Sequence, residues 1–228
     1  MLGGAPGETR TPDLLVRSQL LYPAELRARR THRIIKSDVA ATNSNVENEV
    51  KVRFPQGAEA ARRLIEGKGY SLKEERILES DQLFDRGEGE LRRSDQLLRL
   101  RRTGNRATIT YKGPGRRERH KSREEIEFDV SDPANFEKVM ARLGYTPGFR
   151  YEKYRTKFAA AGEPGIITID ETPIGVFLEL EGPPDWLDRT AARLELADTE
   201  YLTQSYASIY QEYRRATAGA PANMLFRD

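Results

Sequence analysis

Like-charged residues stand two apart at several places in this sequence, each time alternating with apolar residues. The pairs are Glu47/Glu49, Glu125/Glu127, Glu179/Glu181, Arg99/Arg101 and Lys153/Arg155. Because side chains alternate across a strand, the two members of each pair would project from one strand face and repel each other. Clustered carboxylates are suited to a divalent cation, whereas clustered Arg and Lys are suited to phosphate oxygens. The pattern therefore predicts a site for a metal-bound polyphosphate.

For any single strand, a solvated face of an antiparallel sheet is the simpler interpretation. The whole set favours a closed barrel with the charges inside, because solvated faces usually mix Thr, Ser, Gln and Lys. Nothing in the sequence resembles a Walker loop, so side chains would hold the phosphates rather than a glycine-rich backbone.

Hydrophobic periodicity after residue 45 predicts nine strands and four helices. The predicted strands are Glu47–Phe54, Tyr70–Arg76, Ser80–Asp85, Gln96–Arg102, Ala107–Lys112, Ser122–Val130, Phe149–Phe158, Gly165–Asp170 and Gly175–Glu181. The predicted helices are Gly57–Lys68, Asp132–Leu143, Pro184–Leu196 and Thr203–Arg215. The tyrosines of the last helix, among them Tyr206, recur at helical spacing and predict packing on the barrel exterior. Trp186 is interpreted as a packing anchor.

A weak internal repeat relates the two halves of this region. Glu47 is echoed by Glu125, and the Gly69-Tyr70 pair that follows one predicted helix is echoed by Gly144-Tyr145 after the next. Two similar halves predict one closed sheet with approximate two-fold symmetry.

The composition limits the available chemistry. The 228 residues include no cysteine and two histidines, which excludes disulfides, thiolate nucleophiles and sulfur-based zinc sites. A metal, if used, would be a hard cation held by oxygen. No apolar run approaches the roughly 18 residues that span a bilayer, and no segment resembles a secretory leader, so we expect a cytoplasmic protein.

The two ends of the chain are predicted to lie outside the folded domain. Residues 1–45 lack sustained periodicity and are predicted to be disordered, with at most a short helix near residues 23–30. Part of this segment also resembles translated transfer-RNA gene sequence, so the natural protein is hypothesised to begin near Val39 or Val46; mass-spectrometric peptides from the segment would contradict this. A basic targeting arm is the alternative. Residues 217–228 are predicted to form a flexible tail.

Nucleic-acid binding is disfavoured by the distribution of charge. The net charge is +2, and residues 1–45 alone hold seven Lys/Arg against four Asp/Glu. The basic excess therefore lies in a terminal segment rather than in a surface stripe of the folded region.

The ordered motifs resemble those of the CYTH, or triphosphate tunnel metalloenzyme, superfamily. The stretch "ENEVK", with Glu47, Glu49 and Lys51, fits the E-x-E-x-K strand of that family, and "LRLR", "TYKGP", "KSREEIE", "EKYR", "IDE" and "GVFLELEGP" follow in the family's order. The resemblance covers about residues 46–216. It implies an α+β fold, in which about eight antiparallel strands close into a charged tunnel with helices packed outside.

The resemblance also implies roles for individual residues. The metal ligands would be Glu47, Glu49, Glu127, Asp170, Glu179 and Glu181, with Mg²⁺ or Mn²⁺ as the cofactor. The phosphate-binding cations would be Arg53, Arg99, Arg101, Lys112, Lys153 and Arg155, with Lys121 and Arg123 as further candidates. Lys51 would be catalytic, either acting on a proton or holding a phosphate.

The implied function is metal-dependent processing of a triphosphate-containing small molecule. The "TYKGP" and "KSREEIE" phrases look most like class IV adenylyl cyclases, which convert ATP to cyclic AMP and pyrophosphate. Hydrolysis of the terminal phosphate of inorganic or thiamine triphosphate is the alternative, and a non-catalytic polyphosphate- or nucleotide-binding module is a third. A homodimer is compatible with the resemblance, and no membrane association is expected.

Overall fold

The computed structural model describes residue 3, residues 46–117 and residues 120–227. The predictions for residues 1–45, namely disorder, a short helix and a later natural start, lie outside the described residues apart from residue 3.

Within these described ranges, nine strands form one antiparallel sheet. They are β1 Val46–Arg53, β2 Ser71–Arg86, β3 Leu97–Thr103, β4 Arg106–Lys112, β5 Arg116–Arg117, β6 Lys121–Asp129, β7 Tyr145–Ala159, β8 Ile166–Thr172 and β9 Gly175–Glu181. The order β1-β9-β8-β7-β2-β3-β4-β6 closes because β1 also pairs with β6, and the short β5 pairs with β6. The structure confirms the predicted closed barrel of eight antiparallel strands.

The second strand differs from the prediction. The segments predicted as Tyr70–Arg76 and Ser80–Asp85 form one strand, β2, which pairs along its length with β7. Its register against β7 shifts between Leu72 and Glu74 and again between Glu74 and Ile77. Such bulges interrupt the alternation of side chains, so the sequence pattern showed a strand end where the strand only bends.

In the described residues, five α-helices accompany the barrel. They are α1 Ala58–Gly67, α2 Glu90–Arg93, α3 Pro133–Arg142, α4 Pro184–Arg193 and α5 Tyr206–Ala216. Four match predicted helices, and α2 was missed because four residues are too few to show periodicity. Within the described part of the chain, no helix is long and apolar enough to cross a membrane.

The helix ends support the predicted repeat. Gly69 and Gly144, one after α1 and the other after α3, have φ angles of 89° and 81°. This left-handed conformation ends a helix at little cost in glycine. The two halves therefore leave their helices in the same way before entering the long paired strands β2 and β7.

The apolar faces of the strands point outward, under the helices. Helices α1 and α4 cover β1, β8 and β9, where Val50, Leu178 and Trp186 belong to one buried cluster. A Cβ on Gly165 would lie only 2.3 Å from the Trp186 ring, so the indole occupies the space that this glycine leaves. Trp186 is thus a packing anchor, as predicted, and the charged strand faces are directed into the barrel.

Helix α5 closes one end of the barrel instead of lying on its exterior. Tyr151 and Phe177 alternate with outward-facing residues and share the inward face of their strands, and they form a buried cluster with Tyr206, Ile209 and Tyr210 of α5. Helical spacing revealed the apolar face of α5 but not the surface that receives it.

The segment after α5 packs against β7, in contrast to the predicted flexible tail. The side chain of Met224 is fully buried. The Met224 N–H donates to the Arg150 carbonyl over 3.1 Å, and the Glu152 N–H donates to the Met224 carbonyl over 2.9 Å. The Phe226 ring lies 5.0 Å from the ring of Tyr154. A few apolar residues in a short polar segment carry no periodicity, so the sequence did not reveal this packing.

Candidate active site

The inward strand faces enclose a cavity of about 290 Å³. Its charged lining comprises Glu47, Glu49, Lys51, Arg99, Arg101, Lys112, Lys121, Arg123, Glu125, Glu127, Lys153, Arg155, Lys157, Glu179 and Glu181. The structure therefore brings together all the predicted site residues except Arg53 and Asp170.

Arg53 lies at the rim of the barrel, outside the cavity lining. Its guanidinium is 4.8 Å from the Phe177 ring centroid, and Nη1 donates to the Ile174 carbonyl over 3.4 Å. The alternation of β1 placed Arg53 on the inward face, but this strand face continues beyond the cavity.

Asp170 lies beneath the cavity and is saturated by donors. Its side chain is 0% exposed. It accepts from Arg155 Nε and Nη2, each over 2.6 Å, from Lys153 Nζ over 2.8 Å and from the Tyr206 hydroxyl over 2.7 Å. All these donors come from residues that line the cavity, so Asp170 fixes groups at the cavity surface.

Two further buried carboxylates on β2, Asp81 and Glu79, form ion pairs with cations that line the cavity. Asp81 accepts from Arg101 Nε over 2.8 Å and from Nη2 over 3.0 Å, and Glu79 lies 3.0 Å from Arg101 Nη1. Burial raises the pKa of Asp81, but Arg101 and Arg99 outweigh it and hold that pKa at about 2. We call Glu79, Asp81 and Asp170, with Arg101, Lys153 and Arg155, the buried ion-pair layer.

Sequence reasoning missed Glu79 and Asp81. They stand two apart, as the other like-charged pairs do, but the predicted interruption of β2 separated them. The spacing of two residues between these carboxylates is present in the sequence, but the bulges in β2 interrupt the alternation that would have revealed it.

The opposite part of the cavity has a crowded carboxylate wall, which we define as Glu47, Glu125 and Glu181. Lys112 forms an ion pair with Glu47 and lies 3.1 Å from Glu125. Burial and the neighbouring Glu47 nevertheless raise the pKa of Glu125 to about 7, and the same two causes raise the pKa of Glu181. Burial beside Glu47 therefore disfavours the charged forms of Glu125 and Glu181, even with Lys112 nearby.

Lys51 is held as a cation. Its Nζ lies 3.0 Å from Glu179 Oε1 and 4.2 Å from the Tyr206 ring centroid. Burial alone would lower the pKa of Lys51, but Glu179 and Glu49 raise it above its ordinary value. The ammonium is therefore better placed to hold an anion than to accept a proton.

Some buried donors at the cavity make no hydrogen bond within the described part of the chain. Among the described residues, Arg99 Nε, Arg123 Nε and the Thr168 hydroxyl have no hydrogen-bond partner. Buried polar groups are normally satisfied, and an unsatisfied one costs roughly 1–3 kcal/mol. Arginine donates only, so each of these two Nε–H groups can be satisfied only by an acceptor, such as an anion.

The donor chemistry of the wall fits a hard divalent cation. Carboxylate oxygens are the ligands that Mg²⁺ and Mn²⁺ prefer, and the mutual repulsion of the wall is what a bound cation would relieve. In the described ranges, no three Asp, Glu, His or Cys side chains converge as a ready metal site. The carboxylate wall therefore fits a divalent cation in the chemical type and the charge of its ligands, and not through a preformed ligand geometry.

Two tyrosines of this site were not predicted. Tyr206 contacts both Asp170 and Lys51, and Tyr151 also lines the cavity. An aromatic residue at helical spacing is usually core, and Tyr206 is both core and cavity wall.

The comparisons with known proteins agree with this fold. The model of the CYTH domain family matches residues 45–206, and the chain belongs to this family. A Methanocaldococcus jannaschii protein named "Putative adenylate cyclase MJ0240" is 28% identical over 136 residues, covering 60% of this chain and 76% of that protein.

Solved structures share the barrel. The PH1819 protein from Pyrococcus horikoshii OT3 matches with a TM-score of 0.64 and 22% identity, over 74% of this chain and 99% of that one. The Hippeastrum protein HpAC1, described as revealing a dominant triphosphatase activity, matches with a TM-score of 0.55 and 14% identity, over 74% and 95% of the two chains. Both likenesses show the fold.

Proposed function

We propose that this protein is a divalent-metal-dependent enzyme that acts on a triphosphate inside the charged cavity, with adenylyl cyclase activity as the leading assignment. The observation that carries the proposal is the convergence of buried cations on one cavity where the Nε donors of Arg99 and Arg123 have no hydrogen-bond partner among the described residues. A triphosphate supplies the many acceptor oxygens that such a site requires.

The cavity cations would all bind the triphosphate. Arg99, Arg101, Lys112, Lys153 and Arg155 would bind phosphate oxygens, and Lys51 would join them as a fixed positive charge. Because the buried ion-pair layer holds three of these groups from below, their orientation is set before the substrate arrives. Preorganised charge of this kind stabilises a transition state without a cost of rearrangement.

The metal would be held by the carboxylate wall, with Glu49, Glu127 and Glu179 as further ligands. Bound Mg²⁺ or Mn²⁺ would supply charge neutralisation on the phosphates and orient them. Asp170 is proposed as a positioning residue instead of a ligand, because donors from Lys153, Arg155 and Tyr206 occupy its oxygens.

In the cyclase reaction, the ribose 3'-hydroxyl of ATP would attack the α-phosphorus. The new ester bond forms as the bond to the β-phosphate oxygen breaks, giving cyclic AMP, pyrophosphate and one proton. The leaving pyrophosphate develops negative charge among the cavity cations, which would stabilise it. The relative named as an adenylate cyclase supports this assignment.

Hydrolysis of the terminal phosphate is the second candidate, because the same cations would bind an inorganic or organic triphosphate. A non-catalytic binding module is disfavoured, since a pure anion binder gains nothing from a repelling wall of carboxylates at its ligand.

The test is a direct product assay. The protein is incubated with ATP, inorganic triphosphate or thiamine triphosphate, each with Mg²⁺ or Mn²⁺ and with EDTA as the metal-free control. We expect cyclic AMP and pyrophosphate from ATP. Orthophosphate without cyclic AMP would replace the cyclase assignment with a triphosphatase, and no product from any substrate would reject an enzyme of this class.

A further inference from the structure

The strand order of the barrel has an approximate two-fold symmetry. Exchanging β1 with β6, β2 with β7, β3 with β8 and β4 with β9 leaves the neighbours of every one of these strands the same. Helices α1 and α3 exchange as well, because each connects the first strand of its half to the long strand that follows. The outer surfaces of the two halves can therefore be compared position by position.

The surface over β1 and β9 is covered by two helices. Helix α4 follows β9, and Glu195, just after α4, lies 2.7 Å from Lys68 at the end of α1. Val50 of β1 is only 2% exposed and belongs to one buried cluster with Trp186 of α4. Helix α4 thus lies beside α1 and buries the apolar face of these strands.

The corresponding surface over β4 and β6 has no second helix in the described part of the chain. There, β4 is followed by β5 and β6, and no helix counterpart of α4 stands between them. Phe128, which matches Val50 in the repeat, is 53% exposed. Its cross-strand neighbour Ile109 is buried in one cluster with Met140 of α3. The cover provided by α3 therefore ends between β4 and β6.

Helix α3 also exposes the side that such a helix would cover. Val139 and Leu143 match Leu64 and Lys68 of α1, of which Leu64 packs against the cluster of Trp186 and Lys68 pairs with Glu195. Val139 is 55% exposed and Leu143 60%. Being four residues apart, they share one side of the helix. We call these two residues, together with Ile126 and Phe128 of β6, the uncovered face.

The two parts of the uncovered face are bordered by charges of opposite sign. Arg142 is exposed on α3, and Glu124 is exposed on the outward side of β6. Neither side chain forms an ion pair within the described residues. A two-fold axis along the face would place the helix part of one copy over the strand part of another, and the reverse. Arg142 would then approach Glu124 of the second copy around an apolar centre, which is the usual anatomy of an interface.

We propose that two copies of this chain associate through the uncovered face, with α3 of each copy covering the strands that α4 covers in the other half. A second copy presents the helix part and the strand part at once, so one isologous contact buries both parts of both chains. The face holds four of the eight large apolar side chains that are exposed among the described residues. Such a concentration marks an interaction surface. This inference goes beyond the proposed function and does not depend on it.

The first test measures the mass of the full-length protein by light scattering after gel filtration, over a range of concentrations. We expect a dimer. Phe128→Lys places a charge at the centre of the contact and should raise the dissociation constant of the dimer at least about tenfold. Leu78→Lys is the matched control, because Leu78 is an exposed apolar strand residue outside the face. It should leave the dimer intact.

The second test keeps the interface apolar and uses the absence of cysteine from the sequence. Phe128→Cys and Val139→Cys are made in separate chains, mixed and treated with a short bismaleimide, and the linked peptides are identified by mass spectrometry. We expect a link between position 128 of one chain and position 139 of the other. A mixture of Leu78→Cys and Val139→Cys is the control and should give no such link.

Three outcomes would overturn the proposal. One is a wild-type protein that stays monomeric at the highest concentration, and another is a dimer that Phe128→Lys does not weaken. The third is a monomer in which maleimide modifies Phe128→Cys much more slowly than Leu78→Cys, because another segment of the same chain would then cover the face. None of these results bears on the charged cavity, which Phe128 and Val139 do not line.

Discussion

The two charged regions inside the barrel differ in how completely their groups are paired. In the buried ion-pair layer, one carboxylate, Asp170, accepts hydrogen bonds from three side chains: Lys153, Arg155 and Tyr206. In the carboxylate wall, Glu125 and Glu181 have raised pKa values because they are buried beside Glu47. The first region holds the side chains of Arg101, Lys153 and Arg155 in fixed orientations. In the second region the carboxyl groups repel one another, and a bound cation would relieve that repulsion. Substitutions should therefore affect stability in one region and activity in the other.

Asp170→Asn should give the largest loss of stability. The amide keeps the volume but removes the negative charge that compensates buried Lys153 and Arg155. Breaking one partner of a buried ion pair costs about 3–5 kcal/mol. Urea unfolding would measure the change in the free energy of unfolding.

Glu171→Gln is the matched control on the same strand. Glu171 pairs with Arg76 over 2.7 Å at the surface. Such exposed pairs contribute about 0–1 kcal/mol. Similar losses in both variants would show that the buried layer is no more important than a surface pair.

Glu47→Gln should give the largest loss of activity. We expect metal-dependent turnover to fall by about 10²–10³, by analogy with removal of a preorganised transition-state contact. The loss of stability should be smaller than in Asp170→Asn, because relief of the repulsion between Glu47 and Glu125 offsets the lost pairs with Lys112 and Arg123. Initial rates with Mg²⁺ and unfolding curves would be measured together, and Glu124→Gln, on the exposed outer face, is the control. Unchanged turnover would remove Glu47 from the proposed site.

The sequence predicted the barrel because the alternation of charged and apolar residues survives on most of its strands. It failed on β2, where bulges at Leu72–Ile77 interrupt the alternation, and on α2, which is too short for any period. It also failed at the end of the chain, where Met224 is buried by a contact with Tyr151 that no local pattern encodes. Local periodicity reports an element and its two faces, but not the partner that covers each face.

The candidate site was predictable to the same extent. Alternation placed Glu47, Glu49 and Lys51 in one cavity, but it could not show that Arg53, two residues further along the same face, lies at the rim. Nor could it distinguish Asp170, which is beneath the cavity, from carboxylates at its surface. Depth along a barrel depends on strand register, which a single sequence does not state.

Tyr206→Phe tests the link between α5 and the buried layer. The variant keeps the ring beneath Lys51 but removes the hydroxyl that donates to Asp170 over 2.7 Å. A hydrogen bond to a charged group is worth about 1.5–3 kcal/mol, so we expect a loss of that size in urea unfolding. Tyr210→Phe, which removes a donor to the Pro221 carbonyl, should cost about 1 kcal/mol. An equal loss in the two variants would contradict a special role for Asp170.

Two inward-facing threonines give the smallest and most direct contrast between paired and unpaired groups. The Thr110 hydroxyl accepts from Arg99 Nη2 over 2.9 Å and donates to Glu127 over 2.7 Å, whereas the Thr168 hydroxyl has no partner among the described residues. Thr110→Val should cost about 1–3 kcal/mol by leaving Arg99 less satisfied, and Thr168→Val should be neutral or stabilising by up to about 1 kcal/mol. If Thr168 donates to a phosphate, its valine variant should raise the KM for the triphosphate while keeping that stability. A destabilised Thr168→Val with an unchanged KM would show that this hydroxyl serves the fold and not the ligand.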